Sequence, residues 1–132
     1  MSIKVSIQNV IHLGGGQGAL LVTGLLIPSN APAGYVTGGD IVDFTQAVAD
    51  PALVGGAGPF IDSSLPVEQF DCWSQSGYVT NPYYPIVGTK QNNCKMKVLN
   101  AYGNAAELAQ GNYPAGVLTD SIAFSAILGN LI

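Results

Sequence analysis

The chain carries one histidine, so any Ser-His-Asp or Cys-His device would have to be assembled around it. His12 stands in Val10-Ile11-His12-Leu13, flanked by apolar residues and followed by glycines, a context that reads as the end of a strand. No Gly-x-Ser-x-Gly elbow occurs to present a nucleophile. The run Gly14-Gly15-Gly16-Gln17-Gly18 invites comparison with a phosphate loop but lacks both the Lys-Ser/Thr pair and the Rossmann spacing. After it comes Ala19-Leu20-Leu21-Val22-Thr23, a strand pattern that offers no helix N-terminus for an anion. The glycines read as a hairpin or a hinge.

The two cysteines, Cys72 and Cys94, fall on two separate strand patterns. Two thiols and a distant histidine make no metal site, and they are expected as buried, reduced side chains unless neighbouring strands bring them within disulfide reach. Among the carboxylates, Asp40 and Asp43 are close in sequence, but residues three apart on a strand face opposite ways, which suits neither paired acid–base work nor a dense oxygen cage with Asp62. Asp40, after Gly38-Gly39, is expected to cap a turn. No catalytic residue, cofactor or metal is assigned.

The residues best suited to recognition are aromatic. Trp73, Tyr78, Tyr83 and Tyr84 lie close together in sequence, with Pro82 and Pro85 stiffening the segment. Tyrosine and tryptophan bury large areas at small entropic cost and dominate protein contacts, and they also line sugar platforms. They could equally fill one end of the core. Pro82 keeps Tyr83 and Tyr84 out of a central strand.

These side chains must be positioned by short strands. Ile3, Val5 and Ile7 alternate with Lys4, Ser6 and Gln8; Cys94, Met96 and Val98 alternate with Lys95 and Lys97; Ile122, Phe124, Ala126 and Leu128 share one side of a third run. The apolar runs Ala19–Val22 and Leu25–Ile27 read as more fully buried strands, broken by a bulge at Gly24. Further strands are expected at 35–36, 40–44, 67–73, 78–80 and 85–87, with a helical turn at 45–50 or 104–110. Dense Gly, Pro and Asn punctuation between them predicts a mostly β, single-domain sandwich or barrel-like fold over residues 1–132, with little helix. The length suffices for one core. Residues 1–18 could form an N-terminal arm and glycine hinge, with Ile3, Val5 and Ile7 adding a strand to a partner, or could belong to the domain's own sandwich.

Charge narrows the function class. Charged residues make up only 9% of the chain, against about 25% in ordinary soluble domains. A surface of neutral amides and hydroxyls is easily desolvated, as contact surfaces are. There is no arginine, and the net charge is −4, which argues against nucleic acid. No apolar run has transmembrane length, and Met1–Val5 alternates rather than forming a secretory leader. The expectation is a protein that works by adhesion and not by catalysis.

From residue 35 onward the order of motifs becomes familiar. Gly38-Gly39-Asp40 opens a strand, Lys95-Met96-Lys97-Val98-Leu99 forms another, Glu107-Leu108 leads through Gly111 to Tyr113-Pro114-Ala115, and Asp120-Ser121-Ile122-Ala123-Phe124 closes the chain. This resembles a type of small structural protein of tailed bacteriophages, the capsid decoration or cement proteins. The chain departs from the pattern at Asn92-Asn93-Cys94, where a glycine turn is usual, and at Ala123, where a polar residue is commoner. The resemblance implies a virion protein made in the host cytoplasm that binds the major capsid protein on the outer surface of the head. It also implies self-association as a dimer or trimer. A head-fibre, tail or baseplate role, and a carbohydrate-binding sandwich, are the alternatives.

Overall fold

The computed structural model describes residues 3–14, 18–31, 33–49, 61, 64–75, 82–100 and 106–129. Its strands are β1 (Ile3–Gly14), β2 (Ala19–Pro28), β3 (Asp40–Val42), β4 (Val48–Ala49), β5 (Val67–Ser74), β6 (Tyr83–Ile86), β7 (Cys94–Val98) and β8 (Ile122–Leu128), and the described residues also include a short helix, α1 (Ala115–Leu118). They form a five-stranded sheet of order β4-β1-β2-β8-β5 and a three-stranded sheet of order β3-β7-β6. The expectation of a mostly β, sandwich-like domain holds.

The core is the inward half of each alternation. Val5, Val22, Leu26, Ile122, Phe124 and Leu128 from the large sheet meet Val42, Met96 and Val98 from the small one, all nearly inaccessible to water. Phe44 stacks edge-on to Phe70 at 5.5 Å and lies tilted against Phe124 at 5.6 Å, which ties the segment after β3 into the apolar interior.

Ile3, Val5 and Ile7 follow the second of the two expectations for this segment, part of the domain's own sandwich. β1 pairs along its length with β2 and briefly with β4, and these three side chains are buried in the domain's own core. A strand held on both sides, with its apolar face already covered, cannot serve as a detachable arm. The hinge reading falls on 15–17, outside the described residues, but Gly14 and Ala19 already pair as one hairpin.

β2 corrects an expectation. The two expected strands are one continuous strand, and the irregularity lies opposite Gly24, where Gln8 is the extra residue of β1. Gly24 is needed because a Cβ there would run into the Ser6 carbonyl oxygen and press on the Phe124 ring. Nor is β2 buried on both faces: Leu20, Val22 and Leu26 point inward, while Leu21, Thr23 and Leu25 are only half-buried and Ile27 is exposed.

Helix went elsewhere than expected. A 3-10 turn at Phe44–Gln46 is capped by Asp43, whose carboxylate accepts the Thr45 amide at 2.9 Å, and the chain then extends into β4. The described part of 104–110 is not helical; Glu107 bridges to Leu99. The helical turn falls at Ala115–Leu118, just after Pro114, and seals the core with Val117. The proline that reads as turn punctuation is acting as a helix starter.

Candidate functional site: two outer faces and a tyrosine–carboxylate strap

Several polar residues of the motifs that carry the phage resemblance bond within the fold, Gly38 to Glu107 and Asp40 to Tyr113 among them. The turn Val36–Gly39 closes through a 3.1 Å bond from the Gly39 amide to the Val36 carbonyl, and Gly38 adopts φ +93°, a conformation that requires glycine. The Gly38 amide donates to Glu107 Oε1 at 2.6 Å, and the Tyr35 hydroxyl donates to the same oxygen at 2.6 Å. These two bonds hold the Glu107 carboxyl below its ordinary range. Burial, reinforced by the Glu107 contact, pushes the Tyr35 phenol up.

One turn later, the Tyr113 hydroxyl donates to Asp40 Oδ2 at 2.6 Å, with Asp40 only 5% exposed and the two tyrosine rings edge-to-face at 5.8 Å. Asp40 is therefore a buried anchor for the C-terminal loop; the turn-capping role expected of it falls to Asp43 three residues later. Asp120 does the same at the other end of the small sheet, accepting the Tyr83 hydroxyl at 2.6 Å and the Ser74 hydroxyl at 2.8 Å. The tyrosine–carboxylate pairs thus strap residues 106–121 across both sheets. Sequence reasoning missed this use of Glu107, Tyr113 and Asp120; the available signal was tyrosines and carboxylates in one motif beside a stranded core.

The other nominated chemistry disperses. His12 lies exposed near the end of β1, opposite Leu20. Cys72 and Cys94 are buried, free and on different sheets; burial, with the nearby Asp71 charge, pushes the Cys72 thiol up to about 12, and burial raises Cys94. Both are set as unreactive core thiols. Among the described residues no three His, Cys, Asp or Glu side chains converge as metal ligands, and no helix is long and apolar enough to cross a membrane.

The aromatic cluster also divides. Tyr83 is half-buried and engaged by Asp120, so its hydroxyl is committed within the fold. Tyr84, the next residue on edge strand β6, points the other way and is 60% exposed. Trp73 is 45% exposed, but on the outer face of the five-stranded sheet, so it shares no platform with Tyr84. Tyr78 lies outside the described residues.

Two outer faces remain. On the small sheet, Tyr84 pairs with Lys97, and Lys95 sits between Ile41 and Ile86, giving an aromatic and aliphatic surface with two cations. On the large sheet, strand pairing sets side chains in rows. Val48, Ser6, Leu25, Ala123 and Trp73 form one row across five strands; Asn9, Thr23, Ser125 and Asp71 form the next; Ile11, Leu21, Ile127 and Gln69 form a third. The only charges in these rows and the adjoining Lys4–Ile27 pair are Lys4 and Asp71.

Comparison with known proteins returns no matching family model, no matching curated protein and no matching solved structure.

Proposed function

We propose that this chain is a non-enzymatic virion structural protein that binds the outer lattice of a tailed-phage capsid and stabilises the expanded head against genome pressure. The observation that carries the reading is the strap. Gly38, Asp40, Glu107, Tyr113 and Asp120, the motif residues that resemble the phage proteins, make fold-holding bonds among themselves and with Tyr35, Tyr83 and Ser74. The motif therefore works as a folding signature, as expected where related proteins share a scaffold and an adhesive task.

Low charge fits the same task, since a lattice contact must be desolvated many times over at small cost each time. A clamp that binds the expanded lattice and not the compact one shifts that equilibrium by mass action. The small-sheet face, with Tyr84 as an exposed aromatic anchor flanked by Lys95 and Lys97, is the proposed capsid contact.

The test is sedimentation of purified protein with expanded heads that lack it, beside unexpanded proheads and purified tails. Pelleting with expanded heads alone is expected. Recovery with tails, or with no particle, contradicts the reading and favours the tail or baseplate alternative in the first case.

A further inference from the structure

Strand β2 has the composition of a strand covered on both sides, yet its outward side chains remain partly accessible to water. Continuous apolar runs mark strands sandwiched between two layers, whereas a strand facing water reads as an alternation. Ala19-Leu20-Leu21-Val22 and Leu25-Leu26-Ile27 are such runs, but Leu21 and Leu25 are only half-buried and Ile27 is 43% exposed. Ile127 on β8 and Ile11 on β1 extend the same surface, Ile11 at 45% exposure. A second layer on this face would cover them.

The arrangement of charge indicates what that layer is. Lys4 stands at one corner, on β1, and Asp71 at the opposite corner, on β5. They are three strands apart, roughly 14 Å at the usual strand spacing, and two rows apart, again roughly 14 Å at the usual rise. A two-fold axis lying in the sheet plane, perpendicular to the Lys4–Asp71 diagonal, passes between Leu25 and Ala123. It brings Lys4 of each copy over Asp71 of the other, so both pairs form at once. Because the two offsets are nearly equal, strands of the two copies cross at roughly 90°, one of the two preferred geometries for stacked sheets. Ala123, the small residue beside the axis, is only 5% exposed, so Leu25 supplies the apolar contact there. The same face laid on itself about an axis across the strands, through the polar row, would instead set Asp71 against Asp71.

We infer that the outer face of the five-stranded sheet is a homodimer interface, closed by reciprocal Lys4–Asp71 pairs around an apolar centre at Leu25. Four strands by about 24 Å give a footprint of roughly 450 Å² per copy, near 900 Å² for the pair, below the roughly 1,200 Å² of stable interfaces, so the dimer is weak and reversible. It leaves Tyr84, Lys95 and Lys97 on the opposite faces, two lattice contacts per particle of two chains. The inference does not depend on the virion reading, because its test needs only the free protein.

Analytical ultracentrifugation of the wild type, K4E, D71K and their equimolar mixture tests it. The wild type is expected to show a concentration-dependent monomer–dimer equilibrium. Each single reversal sets like charges at both corners and is expected to weaken the dimer tenfold or more. The mixture restores both attractions, through the Glu introduced in one variant and the Lys introduced in the other, and is expected to return to within about threefold of wild type. L25K, which sets like charges together at the axis, is expected to abolish association and gives a second reading should a corner variant misfold. A wild type that stays monomeric or forms a trimer, a dimer indifferent to both reversals and to L25K, or a mixture no stronger than its parts overturns the inference.

Discussion

On the five-stranded sheet, the outward alternation sets Leu25 beside Ala123 and Ile11 beside Leu21, with one polar row between, Lys4 and Asp71 at two corners, and Glu68 exposed at the β5 bulge. On the three-stranded sheet, the same alternation sets Tyr84 beside Lys97 and Lys95 between Ile41 and Ile86. Both faces cover the same core, so the difference between them is not a requirement of folding. The first is self-complementary under a two-fold axis. The second carries two like charges and an exposed ring, which would repel its own copy and suit a surface of different composition. A small sandwich with one face for itself and one for another protein can cover a lattice with few charged groups.

That contrast can be broken from beneath, from its surface, or by titration. Asp40→Ala acts from beneath and should have the largest effect. It leaves the buried Tyr113 hydroxyl without its charged acceptor and frees the C-terminal loop, at a cost of about 3 kcal/mol. Urea denaturation should show the loss; a midpoint unchanged from wild type would mean that the strap does not hold the domain. Both faces should fail together and only in proportion to unfolding.

Acting on one surface, Tyr84→Ala removes an exposed side chain and should leave stability within about 0.5 kcal/mol of wild type. Head binding should fall tenfold or more, while dimerisation of the free protein stays unchanged. Equal losses in both assays would show that the faces do not divide the work as proposed.

Titration gives the smallest effect. Glu107 has its ionisation lowered in the fold, so its contribution is present above the ordinary value of 4.5 and is lost as pH falls through the folded value. Tyr35, Tyr83 and Tyr113 are raised, so theirs is present below the ordinary 10.0 and is lost as pH rises past it. The thermal midpoint should therefore be flat between roughly pH 5 and 9 and fall on both sides. Glu107→Gln should flatten part of the acid limb. An acid limb identical to wild type would place that sensitivity outside the strap.

How far this was legible in sequence follows from the range of each signal. Alternation is local, so the inward faces of β1, β7 and β8 could be read directly from Ile3–Ile7, Cys94–Val98 and Ile122–Leu128. Pro82 kept Tyr83 and Tyr84 from a central strand for a similarly local reason, but the strand expected at 85–87 begins two residues earlier, at Tyr83. Pairing is not local. Whether Ile3, Val5 and Ile7 would serve a partner or the domain itself depended on where β2 and β4 lie, and β2 looked broken because the bulge opposite Gly24 is contributed by β1. The strap was least legible: the Asp40–Tyr113 and Tyr35–Glu107 bonds join residues more than seventy positions apart, and no spacing rule reaches so far. The unexpected helix at Ala115–Leu118 has the same origin, since what stabilises a single turn is the burial of Val117 beneath it.

The central claim, that the protein reinforces an expanded capsid, is tested most directly by the rupture temperature of DNA-filled heads, followed by dye access to the genome, with and without the protein. Heads lacking it should rupture several degrees lower, added wild-type protein should restore the temperature, and Tyr84→Ala should restore it poorly at equal concentration. Heads that rupture at the same temperature with and without the protein would contradict it.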